Sequence, residues 1–185
     1  MSDVNLVERC LRGDNSAFDT LVRRYQKKVY GFCLRMLGNP DDALDAAQDS
    51  FMKAYNALDT FRRDARFSSW LFGIANNACI DLLRRRTKKP ADSLDQLIEN
   101  EGELSNDSPG PERLLLREED GKSIRDALAR LPENRRAVMV MFHFNGMTIK
   151  EISQALRRPE DTVKSDLHKA REAMRRKLEG VVVET

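Results

Sequence analysis

Residues 148 to 178, TIKEISQALRRPEDTVKSDLHKAREAMRRKL, constrain the fold more than any other stretch of this chain. Ile149, Ile152 and Leu156 recur at helical spacing before a short polar turn. Apolar residues recur at the same spacing after the turn, namely Val163, Leu167, Ala170, Met174 and Leu178. Two amphipathic helices joined in this way have the layout of a DNA-reading helix-turn-helix. A helical hairpin with a solvated basic face has the same periodicity, so both interpretations stay open at this point.

The charge of the chain is divided into blocks along its length. The net charge of +2 consists of +5 over residues 1 to 90, −8 over 91 to 120 and +5 over 121 to 185. Two basic blocks suit a polyanionic partner, whereas the acidic segment between them would repel it or simply stay solvated. Because residues 90 to 111 are rich in Asp, Glu, Ser, Asn, Gly and Pro, this segment is predicted to be a flexible linker.

Composition limits what else the chain can be. It contains no run of about 18 apolar residues and no charged-then-apolar leader, so we expect a cytoplasmic protein that does not insert into membranes. Cys10, Cys33 and Cys79 are odd in number and widely spaced, which favours buried free thiols over a disulfide framework. The two histidines, His143 and His168, do not cluster with cysteines. We therefore predict neither a metal nor another cofactor.

Helical periodicity continues through both basic blocks, and no strand pattern competes with it. In the N-terminal block the predicted helices span Val4 to Leu11, Ala17 to about Leu37, Pro40 or Asp41 to Tyr55, and Trp70 to Arg86, with a loop from Leu58 to Ser69. In the C-terminal block they run from Pro111 or Glu112 toward Leu131 and from Asn134 to Phe144, followed by the helix-turn-helix. The inner stripe of the third helix is predicted to be Leu44, Ala47, Phe51 and Tyr55. The predicted fold class is all-α, with two small helical domains on a flexible acidic tether.

Several segments in order resemble one known family. They are Ala17-Phe18 through Tyr25, DDALDAAQDSFMKAY (41 to 55), FRRDARFSSWLFGIANNACIDLLRRR (61 to 86), LPENRRAV (131 to 138) and the C-terminal helix-turn-helix. Together they resemble the extracytoplasmic-function sigma factors of bacterial RNA polymerase. The resemblance implies a σ2-like domain at 1 to 89, the linker at 90 to 111 and a σ4-like domain at 112 to 180. It also implies a factor that binds core polymerase and reads promoter elements near −10 and −35.

The resemblance assigns the melted −10 element to the fourth helix and to the loop before it. Basic side chains for the backbone, an aromatic or apolar wall for a flipped base and amides for its edge are what single-strand capture needs. The candidate −10 residues are Arg62, Arg63, Arg66, Phe67, Ser68, Ser69, Asn76, Asn77, Asp81, Arg84 and Arg85. Trp70 has a competing interpretation as a core residue.

Core polymerase is assigned by the same resemblance to the outer face of the third helix. An acidic, amide-bearing face suits a basic protein surface better than it suits DNA. The candidate residues are Asp42, Asp45, Gln48, Asp49 and Lys53. A solvated helix with intrahelical ion pairs is the alternative interpretation.

The −35 duplex is assigned to the exposed side of the recognition helix. The candidates are Thr162, Lys164, Ser165, Asp166, His168, Lys169, Arg171 and Arg175, the two arginines as phosphate contacts. Arg157, Asp161 and Asp166 depart from the residues common in the family. Asp166 either accepts a hydrogen bond from a cytosine amino group or forms an internal ion pair with Lys169 or Arg157.

No arrangement of residues predicts catalysis or a small-molecule substrate. The paired carboxylates Asp41-Asp42 and Glu118-Glu119 have neither an apolar pocket nor a nearby base, so the chain is not expected to be an enzyme. The alternative function is a free-standing helix-turn-helix regulator that binds duplex DNA as a dimer without polymerase. The resemblance further implies an anti-sigma protein as a regulatory partner.

Overall fold

Helices form all the regular structure that the computed structural model describes, which covers residues 1–88 and 121–182. No strand occurs in that part of the chain, so the predicted all-α fold class is confirmed. The N-terminal helices are α1 (Asp3–Leu11), α2 (Asn15–Leu37), α3 (Pro40–Asn56) and α4 (Phe67–Lys88), with a 3-10 turn at Leu58–Thr60. The C-terminal helices are α5 (121–129), α6 (Glu133–His143), α7 (Ile149–Leu156) and α8 (Glu160–Val182). The predicted linker at 90 to 111, the predicted helix start at Pro111 or Glu112 and the side chain of Leu178 lie outside the described residues.

The helix ends follow from local side-chain chemistry. Gly38 ends α2 in the left-handed conformation (φ 71°), which glycine adopts without a steric penalty. The Asn39 side chain then accepts a hydrogen bond from the backbone N–H of Asp42 (3.0 Å), and Pro40 occupies the first turn of α3. At α7, Thr148 and Glu151 form a reciprocal capping box. These caps fix where α3 and α7 begin.

The inner side of α3 differs from the sequence prediction. Ala43, Ala46, Ala47, Ser50 and Ala54 are buried, whereas Leu44 and Tyr55 are exposed and Phe51 is only partly buried. Of the predicted stripe, only Ala47 lies in the core. The reason is the position of α3 against both α2 and α4, where small side chains let three helix backbones approach closely.

The start of α4 also differs from the prediction, because this helix begins at Phe67 rather than at Trp70. Phe67 lies inside an aromatic cluster, with ring centroids 5.6 Å from those of Tyr25, Phe61 and Trp70. Because this buried ring is at the first residue of the helix, the residues between Phe67 and Trp70 form the first helical turn. Ser68 and Ser69 therefore lie on α4 and not in a loop.

The N-terminal and C-terminal helices are in contact and share a continuous hydrophobic core. Helix α7 lies against α4, and α6 lies against α2. A Cβ atom added to Gly73 of α4 would lie 2.5 Å from the backbone oxygen of Ala155 in α7. The two helix backbones thus touch at Gly73. No sequence pattern indicates this arrangement in advance.

Candidate nucleic-acid and protein interfaces

Helix α8 has one buried and one exposed side. Val163, Leu167, Ala170 and Met174 are buried against α6 and α7, as the periodicity predicted. The predicted −35 residues lie on the remaining surface of the same helix. Lys164, Ser165, His168, Lys169, Arg171 and Arg175 are exposed, and Thr162 and Asp166 are partly buried. An exposed basic strip on a helix with a buried back is suited to the phosphates and base edges of a major groove.

Asp166 forms an internal ion pair. Its carboxylate lies 2.6 Å from the Arg158 guanidinium and 3.8 Å from that of Arg135. The side chain is only 15% exposed. Of the two predicted alternatives the structure has the ion pair, but the predicted partners, Lys169 and Arg157, were wrong. The Asp166 carboxylate thus links α8 to α6 and to the turn after α7. Neither arginine lies on α8, so the helical periodicity of α8 could not indicate these partners.

Arg157 occupies the left-handed region, with φ 52° and ψ 46°. Among the described residues it is the only non-glycine with a positive φ. A side chain in this conformation brings Cβ close to the following carbonyl, so the backbone is strained there. Arg157, which departs from the residues common in the family, therefore adds backbone strain at this turn.

Arg171 is held by two aromatic residues of α6. Its Nε–H donates to Nε2 of His143 (3.1 Å), and its guanidinium lies 5.0 Å from the centre of the Phe142 ring. Burial, and secondly the charge of Arg171, lower the pKa of His143. A neutral imidazole is the form that can accept this hydrogen bond. The arginine predicted to contact phosphate is thus oriented before DNA arrives.

The three arginines before α4 are exposed, and each forms an ion pair with an acidic side chain of this chain. Arg62 pairs with Asp64 (2.7 Å), and Arg63 lies 3.3 Å from Glu8. Arg66 lies 2.9 Å from Glu151, which belongs to α7. Further along α4, the predicted residues Asn77, Asp81, Arg84 and Arg85 are exposed. Since the ion pairs of Arg62 and Arg63 lie in solvent, a polyanion could displace them at little cost.

Three predicted −10 residues are buried. Phe67 lies in the aromatic cluster, and Ser69 and Asn76 are 1% and 6% exposed. Neither the Ser69 hydroxyl nor Oδ1 of Asn76 has a hydrogen-bond partner among the described residues. Ser68 and Trp70 are partly buried, and the Trp70 ring lies at a tilt to that of Phe61, with the centroids 5.6 Å apart. The structure thus divides the predicted −10 set into an accessible part and a covered part.

The outer face of α3 carries the predicted polymerase-binding residues. Asp45 and Gln48 are exposed and Asp49 pairs with Lys53 (2.8 Å). Asp42 forms an ion pair with Arg86 of α4, and Lys53 lies 4.0 Å from Asp81. Part of the acidic charge is therefore balanced within the chain.

Apolar side chains on this α3 face were missed by the sequence reasoning. Leu44 is 50% exposed, Met52 is 66% exposed and Tyr55 is 44% exposed. Together with Gln48 they recur at intervals of three and four residues, so they form one outward stripe. The sequence prediction places Leu44 and Tyr55 in the inner stripe because of their size and assigns Met52 to neither side. Exposed apolar groups rimmed by charge are typical of a protein-binding surface.

The three cysteines are buried and free. A hydrogen bond with Cys33, and secondly burial, raise the pKa of the Cys79 thiol. In residues 1–88 and 121–182 no group of three or more His, Cys, Asp or Glu side chains is placed to hold a metal ion. None of the helices described is both long and apolar enough to cross a membrane.

Comparison with known proteins gives matches to both halves of the chain. Residues 21–89 match the family Sigma-70 region 2, and residues 114–174 match Sigma-70, region 4. The chain is 37% identical over 187 residues to the RNA polymerase sigma-H factor of Pseudomonas aeruginosa, covering 98% of this chain and 96% of that protein. It is 35% identical over 178 residues to the ECF RNA polymerase sigma factor SigW of Bacillus subtilis, covering 93% and 94%. The fold is similar to that of CnrH in complex with the cytosolic domain of CnrY, with a TM-score of 0.70, 25% identity, and coverage of 97% of this chain and 99% of CnrH.

Proposed function

Because the chain belongs to the extracytoplasmic-function branch of the sigma-70 family, we propose that its N-terminal residues 1 to 89 and C-terminal residues 112 to 180 divide promoter reading between them. The protein is an alternative sigma factor, which directs RNA polymerase to specific promoters. The C-terminal part reads the −35 duplex, and the N-terminal part binds core polymerase and captures the melted −10 strand. The observation that carries this division is the exposed basic side of α8 opposite its buried stripe.

The −35 element is bound by the N-terminal half of α8 in the major groove. Lys164, Ser165 and His168 are exposed there and supply donors for base edges. Arg171 and Arg175 lie one or two turns further along, where they contact phosphate. Asp166 is excluded from direct base reading by its ion pair with Arg158. It is a positioning residue, and the base preference comes from its neighbours.

The −10 element is bound by α4 and the loop before it. Arg62, Arg63, Arg84 and Arg85 supply charge for the backbone, and Asn77 is exposed for contact with a base edge. Ser69 and Asn76 join this surface when they are uncovered. The strand is captured after the duplex opens, since the pairing edges of its bases become available to an exposed amide only once the bases are unpaired.

Core polymerase binds the outer face of α3. The apolar stripe of Leu44, Met52 and Tyr55 supplies buried contact area, and Asp45 with Gln48 supplies polar rim contacts. Polymerase carries out the chemistry, and the factor itself is not an enzyme. Its place is the cytoplasm, where polymerase and the chromosome are.

Regulation follows the pattern of the relatives. The similar CnrH structure holds a second protein, the cytosolic domain of CnrY. We infer that this chain is likewise held by a protein partner, an anti-sigma factor that covers its polymerase-binding and DNA-binding surfaces.

Run-off transcription with core polymerase on a genomic fragment library, followed by start-site mapping, tests the proposal. Aligned start sites should reveal one shared −35 and one shared −10 sequence. Met52→Ser should weaken core binding, whereas Leu11→Ser, which changes an exposed apolar residue of α1, should not. A stable dimer on gel filtration that binds duplex operators tightly but does not associate with core polymerase would instead establish the free-standing regulator.

A further inference from the structure

We propose that Cys33 of α2 and Cys79 of α4 form a buried two-thiol site for copper(I), with the thioether of Met36 as a third sulfur ligand. The site is apart from the residues proposed to contact promoter DNA and polymerase, so the inference goes beyond the proposed function. The sequence prediction of no metal depended on ligands that cluster along the chain. Cys33 and Cys79 are far apart in sequence, and only the packing of α2 against α4 brings their thiols together.

The contact between α2 and α4 places the two thiols side by side. The Phe32 ring, next to Cys33 in α2, lies 5.5 Å from the Phe72 ring of α4, measured between centroids. Phe72 and Cys79 are separated by two helical turns, so they share one side of α4. The segments that carry Cys33 and Cys79 therefore face each other, and the two thiols are hydrogen-bonded. Two of the three cysteines of the chain are thus in contact across a helix interface.

The surroundings of this thiol pair are apolar. Cys33 and Cys79 are both 0% exposed, and so are Val29 and Ala75, which lie one helical turn before them. In residues 1–88 and 121–182 no third His, Cys, Asp or Glu side chain joins the two thiols. Zinc takes four ligands of these kinds in a structural site, so the pair does not suit zinc. Sulfur ligands without nitrogen or oxygen favour a soft ion such as copper(I).

Met36 adds a third soft sulfur. It follows Cys33 by one helical turn, so the two side chains leave α2 on the same side. Met36 is also 0% exposed. A methionine side chain is unbranched and has about three rotatable bonds, so it adapts to neighbouring groups without a change in the backbone. A thioether beside two thiolates strengthens the preference for copper(I) over copper(II), which takes nitrogen and oxygen ligands.

Binding exchanges protons for the ion. Two S–Cu bonds form to the cysteine sulfurs and two S–H bonds break, and both protons pass to the solvent. The Met36 sulfur donates a lone pair and loses no proton. Copper stays in the +1 state throughout, so neither an oxidant nor a reductant takes part. Because both thiols are covered, the ion enters during a local opening of the packed helices.

A bound ion would cross-link α2 to α4 on the inner side of both helices. Asn77 and Asp81, on another side of α4, are exposed and keep their access to DNA. An ion that binds the folded state alone stabilises that state. At a free copper(I) concentration about 100 times Kd, Tm should rise by about 5–10 °C for a chain of this size.

Copper(I) binding to the full chain tests the site. The reduced protein is kept free of oxygen, and copper(I) is supplied as its acetonitrile complex in competition with the chelator bathocuproine disulfonate. One ion should bind per chain. X-ray absorption by the copper of this complex should show sulfur neighbours only.

Variants locate the ligands. Cys33→Ala and Cys79→Ala should each lower the copper(I) affinity at least about 100-fold, since loss of even a supporting residue costs about 10–100-fold. Met36→Leu conserves volume and should lower the affinity by about tenfold. Cys10→Ala is the matched control, because Cys10 is a buried free thiol of α1 outside the pair, and its loss should leave the affinity unchanged. Circular dichroism checks that each variant is folded, and the X-ray absorption of the wild type does not depend on the variants.

Absence of copper(I) binding in competition with the chelator would overturn the site, and so would nitrogen or oxygen neighbours in the X-ray absorption spectrum. An equal loss of affinity in Cys10→Ala and Cys79→Ala would show adventitious binding to any thiol and would also overturn it. An unchanged affinity in Met36→Leu would exclude the thioether as a ligand. The proposed function is measured separately, because the run-off assay uses the copper-free protein.

Discussion

The ion pair of Asp166 gives the most demanding prediction for this protein. Asp166→Asn should lower the stability of the C-terminal helices and leave the −35 base preference unchanged. The Arg158 guanidinium is 26% exposed and lies 2.6 Å from a carboxylate that is 15% exposed, so removal of the acid leaves a partly buried cation. Breaking a fully buried ion pair costs about 3–5 kcal/mol and breaking an exposed one under about 1 kcal/mol, so loss of this partly buried pair should cost about 1.5–3 kcal/mol. Arg135, 3.8 Å away, adds at most about 0.5 kcal/mol.

The total of about 1.5–3.5 kcal/mol corresponds to a fall in Tm of roughly 3–14 °C for a chain of this size. Thermal unfolding followed by circular dichroism measures it, with Glu172→Gln as the control. Glu172 is an exposed acid on the same helix, 3.7 Å from His168, and its loss should cost under about 0.5 kcal/mol. A double-mutant cycle with Arg158→Ala should give a coupling energy of about 1–2 kcal/mol.

Selection of −35 sequences from a random duplex library measures base preference. If Asp166→Asn lost its preference for one cytosine and kept the wild-type Tm, the acid would be a base reader and the positioning role would be refuted.

Two further predictions concern the same region. Arg157→Gly should raise the free energy of unfolding by about 0.5–1 kcal/mol, because the relief of left-handed backbone strain exceeds the extra backbone entropy of glycine. Urea denaturation measures this change, and a lower urea midpoint for the variant would contradict the argument that Arg157 is strained. His143 should titrate by NMR below its ordinary pKa of about 6.5, and Arg171→Gln should raise that pKa, though not fully, since burial is the larger cause. Because the folded pKa is depressed, the stability contributed by neutral His143 is present above pH of about 6.5 and is lost as the pH falls toward the folded pKa. An unchanged His143 titration in Arg171→Gln would show that the hydrogen bond is not formed in solution.

Periodicity was sufficient to predict the helix-turn-helix. The buried residues Val163, Leu167 and Ala170 recur at helical intervals, and the turn is marked by Pro159. These residues are buried because they share one face of the helix. A local pattern of apolar residues is enough to show which residues share a face.

The inner face of α3 could not be predicted in this way. Ranking residues by size places Leu44 and Tyr55 inside, but the space between α2 and α4 admits only small side chains such as Ala43 and Ala54. That space is set by helices elsewhere in the chain. For the same reason the contact of Gly73 with Ala155 has no local signal beyond a glycine inside a helical pattern.

Asp166 illustrates an intermediate case. The sequence indicated that an acid in a basic helix needed either a base or an internal cation. Which cation it meets depends on the angle between helices, and the structure supplies Arg158 and Arg135. The chemistry was thus predictable and the partners were not.

The alanine-lined side of α3 has a consequence for how this protein can evolve. A single-nucleotide change in an alanine codon gives Gly, Pro, Val, Thr, Asp, Glu or Ser, and at Ala43, Ala46 or Ala54 most of these loosen the helix, overfill the gap or bury a charge. Serine is the mild exception, and Ser50 already uses it by donating its hydroxyl to the Ala46 carbonyl (2.5 Å). Inherited variation in this helix is therefore confined to its outward residues, so the fit to a partner can drift between lineages while the scaffold stays fixed.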